Sequence, residues 1–303
     1  MTEIGLLLPT REAVIYGDES GDPRPLVDLA RWAESAGFDS VWAGDSLLAR
    51  PRAEPLTLLA AVAAATERVK LGTGVLLPSQ RNAEQLAQST ATLDAVSGGR
   101  FILGIGAGPD TPGVRRDHEL LGVDMDRRNS VAMGVIERTR ALWRGDGDDQ
   151  MYPLPVTPGG PPIWMGGHGP RTLERTGRIC DAWFPTATSH EMYAAGLAQV
   201  REHAEAAGRD PSEVGAAAYL TVVIGETGPA EAALAEHSQL YYGVPHDVIA
   251  RMQGSVAGPK ELVIEWLRGF VDAGATHICV RIGSADVHEQ AELIADALGE
   301  LRS

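Results

Sequence analysis

Eight short apolar segments recur along the chain, and most of them end in a turn rich in Gly, Pro or Asp. Segments with the periodicity of amphipathic helices lie between them. A strand followed by a helix, repeated eight times, is typical of a (β/α)8 TIM barrel, the α/β fold class that we predict. The predicted strands are Ile4–Pro9, Ser40–Asp45, Val69–Leu77, Phe101–Gly106, Pro162–Gly167, Asp181–Thr186, Ala216–Gly225 and His277–Gly283. Barrel enzymes carry their chemistry on the loops that follow the strands, so we look for the site there.

The length of 303 residues suits one barrel with insertions, and no low-complexity linker divides the chain. We therefore predict one domain over residues 1–303. Three segments exceed the minimal pattern: Ala107–Asp126 after the fourth strand, Gly145–Pro161 before the fifth, and Glu226–Gly258 after the seventh. The last should hold two short helices, Pro229–Leu240 and His246–Met252.

The composition indicates which classes of partner to exclude and which cellular compartment to expect. A formal net charge of −15 argues against binding to nucleic acid or to anionic membranes. The N-terminus shows no signal segment, and no apolar run approaches the ~20 residues of a membrane span, so we expect a cytoplasmic protein. Cys180 and Cys279 should be buried, reduced thiols, because two isolated cysteines make no disulfide framework.

A glycine-rich segment after the fifth strand gives the strongest site signal. Gly166, Gly167 and Gly169 join the strand to a helix, with His168 between them and Arg171 just beyond. Such a loop lets backbone N–H groups approach a phosphate, and the helix dipole favours the anion. Arg171 would add a charge-assisted contact. The alternative interpretation is a tight turn that binds nothing.

The second strand ends in Asp45-Ser46, which places an acid at the barrel mouth, and these two residues are the predicted catalytic pair. That acid would orient a cofactor or move a proton, or it would serve only as a helix cap or turn former. Glycines also interrupt the third strand around Gly74-Val75, which predicts a bulge or a close approach to a ligand. The segment at Gly106, Ala107 and Gly108 has no reactive side chain, and we predict that it forms a flat surface against which a ring system packs.

Histidines and arginines give weaker signals. The eight histidines show no metal-ligand spacing, so we predict no metal. Only His118 and His168 are placed near the mouth, and each reads better as a solvated loop residue than as a catalytic one. Five arginines fall in loops on the catalytic face, where together they would make a cationic rim: Arg50, Arg52, Arg81, Arg115 and Arg116.

Several of these motifs, in this order, resemble the bacterial luciferase-like monooxygenase family, which includes deazaflavin (coenzyme F420)-dependent oxidoreductases. The resemblance covers nearly the whole chain except Glu226–Gly258. It rests on Ser40–Asp45, Lys70–Val75, Ala91–Phe101, Leu103–Gly108, Pro162–Gly167 and Cys180–Trp183.

The resemblance implies a barrel whose mouth binds a flavin or a 5-deazaflavin. It places Asp45 near the reactive ring, Gly106–Gly108 beside the cofactor and Gly166–Gly169 on its phosphate. It also implies a non-proline cis peptide at Gly74-Val75 that supports the ring, against the alternative of an ordinary trans bulge. Ser46 stands where many F420-dependent members have His, and Pro109 where the sugar-phosphate dehydrogenases have Glu, so the proton donor stays unassigned.

Three functions remain open from the sequence. The leading hypothesis is an F420-dependent oxidoreductase that transfers hydride between the coenzyme and a small organic substrate. The second is a monooxygenase that uses reduced FMN and O2, with a separate reductase supplying the reduced cofactor. The third, motivated by the missing His and Glu, is a flavin-binding protein without turnover. A homodimer is also expected.

Overall fold

The computed structural model describes residues 1–17, 21–146 and 151–302. The strands in this part of the chain are β1 Glu3–Leu7, β2 Ser40–Ala43, β3 Lys70–Thr73, β4 Phe101–Ile105, β5 Ile163–Met165, β6 Ala182–Trp183, β7 Gly215–Ile224, β8 Ser255–Gly258 and β9 His277–Ile282. The helices are α1 Glu12–Ile15, α2 Arg24–Ala36, α3 Pro55–Ala65, α4 Ala83–Ser97, α5 Pro112–Leu120, α6 Arg128–Arg144, α7 Pro170–Ile179, α8 His190–Ala206, α9 Thr227–Tyr242, α10 His246–Ile249, α11 Lys260–Asp272, α12 Val287–Ala295 and α13 Leu298–Arg302.

Eight of the strands close into a parallel barrel, which confirms the predicted (β/α)8 fold. The order runs from β1 through β6, and β1 also pairs with β9. Pairing of β6 with β7 and of β7 with β9 completes the ring. Each of the eight predicted segments contains or overlaps one barrel strand, with ends that differ by a few residues. Residues 147–150 of the predicted insertion Gly145–Pro161 lie outside the described residues.

The segment Glu226–Gly258 contains the two predicted helices, as α9 and α10 with ends that differ by a few residues. It also contains β8, which was not predicted. This strand runs parallel to the end of β7, from Ser255 beside Thr221 to Gly258 beside Ile224. Ser-Val-Ala-Gly is too short and too weakly apolar to signal a strand by its pattern.

The barrel interior is filled by large aromatic side chains. Trp42 projects inward from β2 and has no exposed surface. Its ring centroid lies 5.1 Å from that of Trp164, 4.7 Å from that of Phe184 and 5.6 Å from that of His277. Cys279 belongs to the same interior cluster and Cys180 lies in the outer core, both buried and unpaired as predicted.

Glycines on neighbouring strands make room for the Trp42 indole. A Cβ atom on Gly72 would lie 2.1 Å from Cε3 of Trp42, and one on Gly5 would lie 2.7 Å from its Nε1. Heavy atoms do not approach so closely without displacement. Gly72 therefore serves the packing of Trp42.

We predict that Gly72→Ala destabilises the protein by about 1–3 kcal/mol, because the added methyl group overpacks a fully buried indole. Urea unfolding of parent and variant measures the difference. The matched control is Gly134→Ala in α6, where a Cβ atom meets nothing within 4 Å. Since alanine favours a helix, this control should be neutral or slightly stabilising. Equal stability of the Gly72→Ala variant and the parent would contradict the packing argument.

Candidate functional site

Four neighbouring strands end in glycines on the inner side of the barrel mouth. Because side chains alternate along a strand, Gly44, Gly74, Gly106 and Gly166 share the inward face with Trp42 and its neighbours. The peptide bond between Gly74 and Val75 is cis, which confirms the prediction. Cβ atoms on Gly106 and Gly166 would lie 2.7 and 3.3 Å from the methyl groups of Val75. These two glycines therefore seat the Val75 side chain in the mouth.

The loop Gly166–Gly169 leads from β5 to the N-terminus of α7. Gly167 has a φ of +100°, and its carbonyl oxygen accepts a hydrogen bond of 2.8 Å from the indole N–H of Trp183. Among the described residues, the N–H groups of residues 167–169 have no acceptor. A Cβ atom on Gly169 would meet nothing within 4 Å, and His168 is exposed. The loop thus presents free N–H groups and open space at a helix N-terminus, which suits an anion.

A cavity of about 430 Å³ lies at the N-terminus of α7. A narrower cleft lies beside it and is bordered by Gly106, Ala107 and Gly166. Asn129, Thr172 and Arg175 line both spaces. The larger cavity is lined by Asn129, Gly169, Pro170, Arg171, Thr172 and Arg175.

Arg175 is a candidate site residue that was not predicted from the sequence. It is half-buried, and none of the carboxylates in the described ranges lies within ion-pair distance of it. Arg175 lies four residues after Arg171, so the two side chains share one face of α7. That spacing was the available signal. Gly108 has a φ of +71° and packs near Leu77 and Val114. It lies at the edge of the glycine side of the mouth, the part where β2 to β5 end in glycines.

Asp45 is buried and engaged by two groups. Only 2% of its side chain is exposed. One carboxylate oxygen lies 2.7 Å from Nη2 of Arg81, and the other accepts a hydrogen bond of 3.0 Å from the N–H of Leu77. Burial raises the pKa of Asp45, while Arg81 and the Leu77 N–H oppose that rise. A role for Asp45 toward a cofactor ring stays a prediction.

Ser46 braces the loop that follows β2. Its hydroxyl oxygen accepts a hydrogen bond of 2.9 Å from the N–H of Arg50. Asp117 of α5 accepts hydrogen bonds from Leu48 and Ala49 in the same loop, at 3.3 and 3.0 Å. These bonds fix the positions of the arginines that follow. A catalytic role for Ser46 stays a prediction.

His118 differs from its prediction as a solvated loop histidine. It is fully buried in α5, and its ring nitrogens lie 3.0 Å from the hydroxyl of Ser79 and 2.8 Å from the carbonyl oxygen of Val114. His118 therefore joins α5 to the segment around Ser79.

The predicted rim of five arginines is wrong as a single feature. Arg81 is neutralised by Asp45 and by Glu54 at 3.1 Å, and Arg115 pairs with Asp110 at 2.5 Å. Arg116 is exposed on α5. Arg50 and Arg52 instead turn toward the tyrosines that α9 places at the barrel mouth.

The half of the mouth opposite the glycines is built around Arg281. This residue of β9 is 3% exposed, and Tyr219 of β7 lies beside it, with 5.5 Å from the guanidinium carbon to the ring centroid. Tyr241 and Tyr242 reach it from the end of α9, at 4.9 and 5.2 Å. The sequence analysis missed this cluster, although alternation in β9 places His277, Cys279 and Arg281 inward together.

Glu12 and His237 form a buried pair next to this cluster. Nε2 of His237 lies 3.8 Å from Oε1 of Glu12, and neither atom has a hydrogen-bond partner. Burial raises the pKa of Glu12, against the attraction of Arg281. Burial lowers the pKa of His237 to about 3, and the nearby Arg281 and Arg11 add to this. Both side chains are therefore biased toward their neutral forms.

The described residues contain neither a cluster suited to a metal ion nor a helix suited to a membrane span. No group of three or more His, Cys, Asp or Glu side chains there is arranged to hold a metal ion. None of the described helices is both long enough and apolar enough to cross a membrane.

Comparison with known proteins places this chain in a family. The model of luciferase-like monooxygenases matches residues 2–262. The 5,10-methylenetetrahydromethanopterin reductase of Methanolobus tindarius is 34% identical over 215 residues, which are 67% of this chain and 64% of that protein. The match thus spans less than two thirds of this relative.

Two solved structures share the fold at equal similarity. An F420-dependent secondary alcohol dehydrogenase in complex with an F420-acetone adduct has a TM-score of 0.82 at 22% identity, covering 100% of this chain and 99% of that one. A monooxygenase from Streptomyces bottropensis has a TM-score of 0.82 at 21% identity, covering 99% and 100%.

We predict that His237 makes the protein sensitive to acid. Unfolding lets His237 take up a proton near its ordinary pKa of 6.5, whereas the folded protein resists this until about pH 3. The unfolded state therefore binds more protons at His237 in this window. The contribution of His237 to stability falls as the pH falls, with a slope that approaches about 1.4 kcal/mol per pH unit below the unfolded pKa. His237→Gln should reduce that slope in urea unfolding measured between pH 7.5 and 5. An unchanged slope would contradict the assignment.

Proposed function

The chain belongs to the luciferase-like monooxygenase family, and from this premise we propose that it is a coenzyme F420-dependent oxidoreductase. In this proposal it transfers hydride between the deazaflavin and a small organic substrate. The cofactor supplies the hydride chemistry when bound, and the protein supplies binding, orientation and exclusion of water.

The observation that carries this proposal is the anion cradle at the start of α7. The N–H groups of residues 167–169 and the guanidinium of Arg175 have no partner among the described residues, and the helix N-terminus adds its dipole to the same cavity. A phosphate group fits this donor set. The cleft at Gly106 and Ala107 leads from the cradle toward Val75, so a ring attached to that phosphate would lie on the glycine side of the mouth.

Two comparisons bear on the choice of cofactor. The relative at 34% identity is a reductase, which favours hydride transfer without oxygen. The similarity to a monooxygenase structure supports the second candidate, an enzyme that uses reduced FMN and O2. That alternative needs a separate reductase to deliver the reduced flavin. Both cofactors carry a phosphate, so the cradle serves either one.

Titration of the purified protein with each cofactor separates the two candidates. We expect F420 fluorescence to change on binding, with a dissociation constant at least tenfold lower than that of FMN. This corresponds to about 1.4 kcal/mol. Tighter binding of FMN would favour the monooxygenase, and binding of neither cofactor would contradict both candidates.

Gly169→Asp tests the cradle without straining the backbone. Gly169 has a φ of −70° and open space around it, so an aspartate fits and can cap α7. Its charge would then repel the cofactor phosphate, and we expect at least tenfold weaker binding, about 1.4 kcal/mol, with unchanged or higher thermal stability.

Gly169→Ser is the matched control, because serine caps the helix without a charge. Fluorescence titration should give this variant an affinity near that of the parent. If Gly169→Asp binds the cofactor as tightly as Gly169→Ser does, the phosphate lies elsewhere.

A further inference from the structure

Arg281 is a buried cation that forms no ion pair in the described part of the chain. Its guanidinium donates hydrogen bonds to the hydroxyl of Thr221 at 2.8 Å, to the side-chain oxygen of Gln253 at 3.1 Å, and to the hydroxyl of Tyr242. All three acceptors are neutral. No carboxylate in the described ranges lies within ion-pair distance of Arg281. Buried charges are normally paired, so this one requires explanation.

Three more arginines surround the same tyrosines. The guanidinium carbons of Arg11 and Arg52 lie 5.1 and 5.6 Å from the ring centroid of Tyr241, and that of Arg50 lies 4.9 Å from the ring centroid of Tyr242. In the described part of the chain none of the three forms an ion pair. Nε of Arg11 is buried without an acceptor. The cluster therefore has unused donors as well as unbalanced charge.

Glu12 lies near this cluster but is not within ion-pair distance of its arginines. Burial raises the pKa of Glu12 and lowers that of its neighbour His237 to about 3. The concentration of arginines around these tyrosines is a property of the mouth. It is maintained in a chain whose overall charge is −15, so it does not reflect a basic surface.

Arg52 brings the cluster next to the proposed ring site. A Cβ atom on Gly44 would lie 2.2 Å from Nη1 of Arg52 and 3.7 Å from the carbonyl oxygen of Gly74. The guanidinium and the Gly74-Val75 peptide therefore meet at the same point of the mouth. Nη2 of Arg52 donates a hydrogen bond of 2.9 Å to the hydroxyl of Tyr241, whereas Nη1 has no acceptor among the described residues.

We propose that the substrate of this enzyme is an organic anion, and that Arg50 and Arg52 bind its carboxylate or phosphate group beside the ring site. Guanidinium groups bind both kinds of anion through paired, charge-assisted hydrogen bonds. The rings of Tyr241 and Tyr242 offer an apolar surface to the body of the same molecule. The role as substrate rests on the proposed function; the anion site does not depend on the choice of cofactor.

Calorimetric titration of the cofactor-free protein tests the anion site. The probes are benzoate and phenyl phosphate, with benzamide as the neutral analogue of benzoate. We expect at least one anion to bind at least tenfold more tightly than benzamide, and the preferred anion identifies the substrate class. Equal binding of anion and amide, or no binding of either anion at millimolar concentrations, would overturn the proposal.

Arg50→Met supplies the site-specific comparison. Arg50 is half-buried and its side chain makes no hydrogen bond in the described residues, so the variant should fold, as circular dichroism can verify. We expect its affinity for the preferred anion to fall at least tenfold, about 1.4 kcal/mol. The control is Arg116→Met, which removes the same charge from an exposed position of α5.

An equal loss in both arginine variants would show that only net charge matters and would overturn the site. Cofactor titration of the Arg50→Met variant keeps the two proposals apart. If cofactor binding fails in the parent while the anion binds and responds to Arg50, the proposed function falls and the anion site remains. If the cofactor binds but no anion does, the reverse holds.

Discussion

The Trp42 indole occupies the axis of the barrel, and the rest of the site depends on the space that it takes. Strand glycines at Gly5 and Gly72 are required because no Cβ atom fits against the ring. Trp42, Trp164 and Phe184 fill the interior below the strand ends. Chemistry in this barrel is therefore expected in the layer formed by the strand ends and their loops.

That layer is divided into two halves of different character. Strands β2 to β5 end in glycines and provide backbone, a seated valine and the loop that we propose as an anion cradle. Strands β7 and β9 provide tyrosine and arginine, completed by residues from α9 and from the loop after β2. One half is shaped by the absence of side chains and the other by buried charge. The proposed function requires one surface for a cofactor and a different one for a substrate. The division of the mouth into two halves matches that requirement.

The fold and the glycine half could be read from the sequence because both depend on local pattern. Alternation and turn residues located all eight barrel strands, and the glycine-rich motif located the loop 166–169. The arginine half could not be read in this way, since Tyr241 and Arg281 meet only through tertiary packing. For the same reason Arg50 and Arg81 look alike in sequence, although one faces the mouth and the other is neutralised by Asp45. Strand β8 was not predicted because its four residues are too few to show the periodicity of a strand.

The pairing of β8 with β7 has a consequence for how this protein can evolve. The chain leaves the barrel at Gly225 and returns so that Gly225 donates a hydrogen bond of 2.9 Å to Gly258. The whole excursion that carries Tyr241 and Tyr242 is thus closed at its base. Loop closure costs little more as a loop lengthens. Selection can therefore lengthen, shorten or exchange this excursion, and with it the tyrosines at the mouth, while the barrel and its glycine-ended strands stay the same.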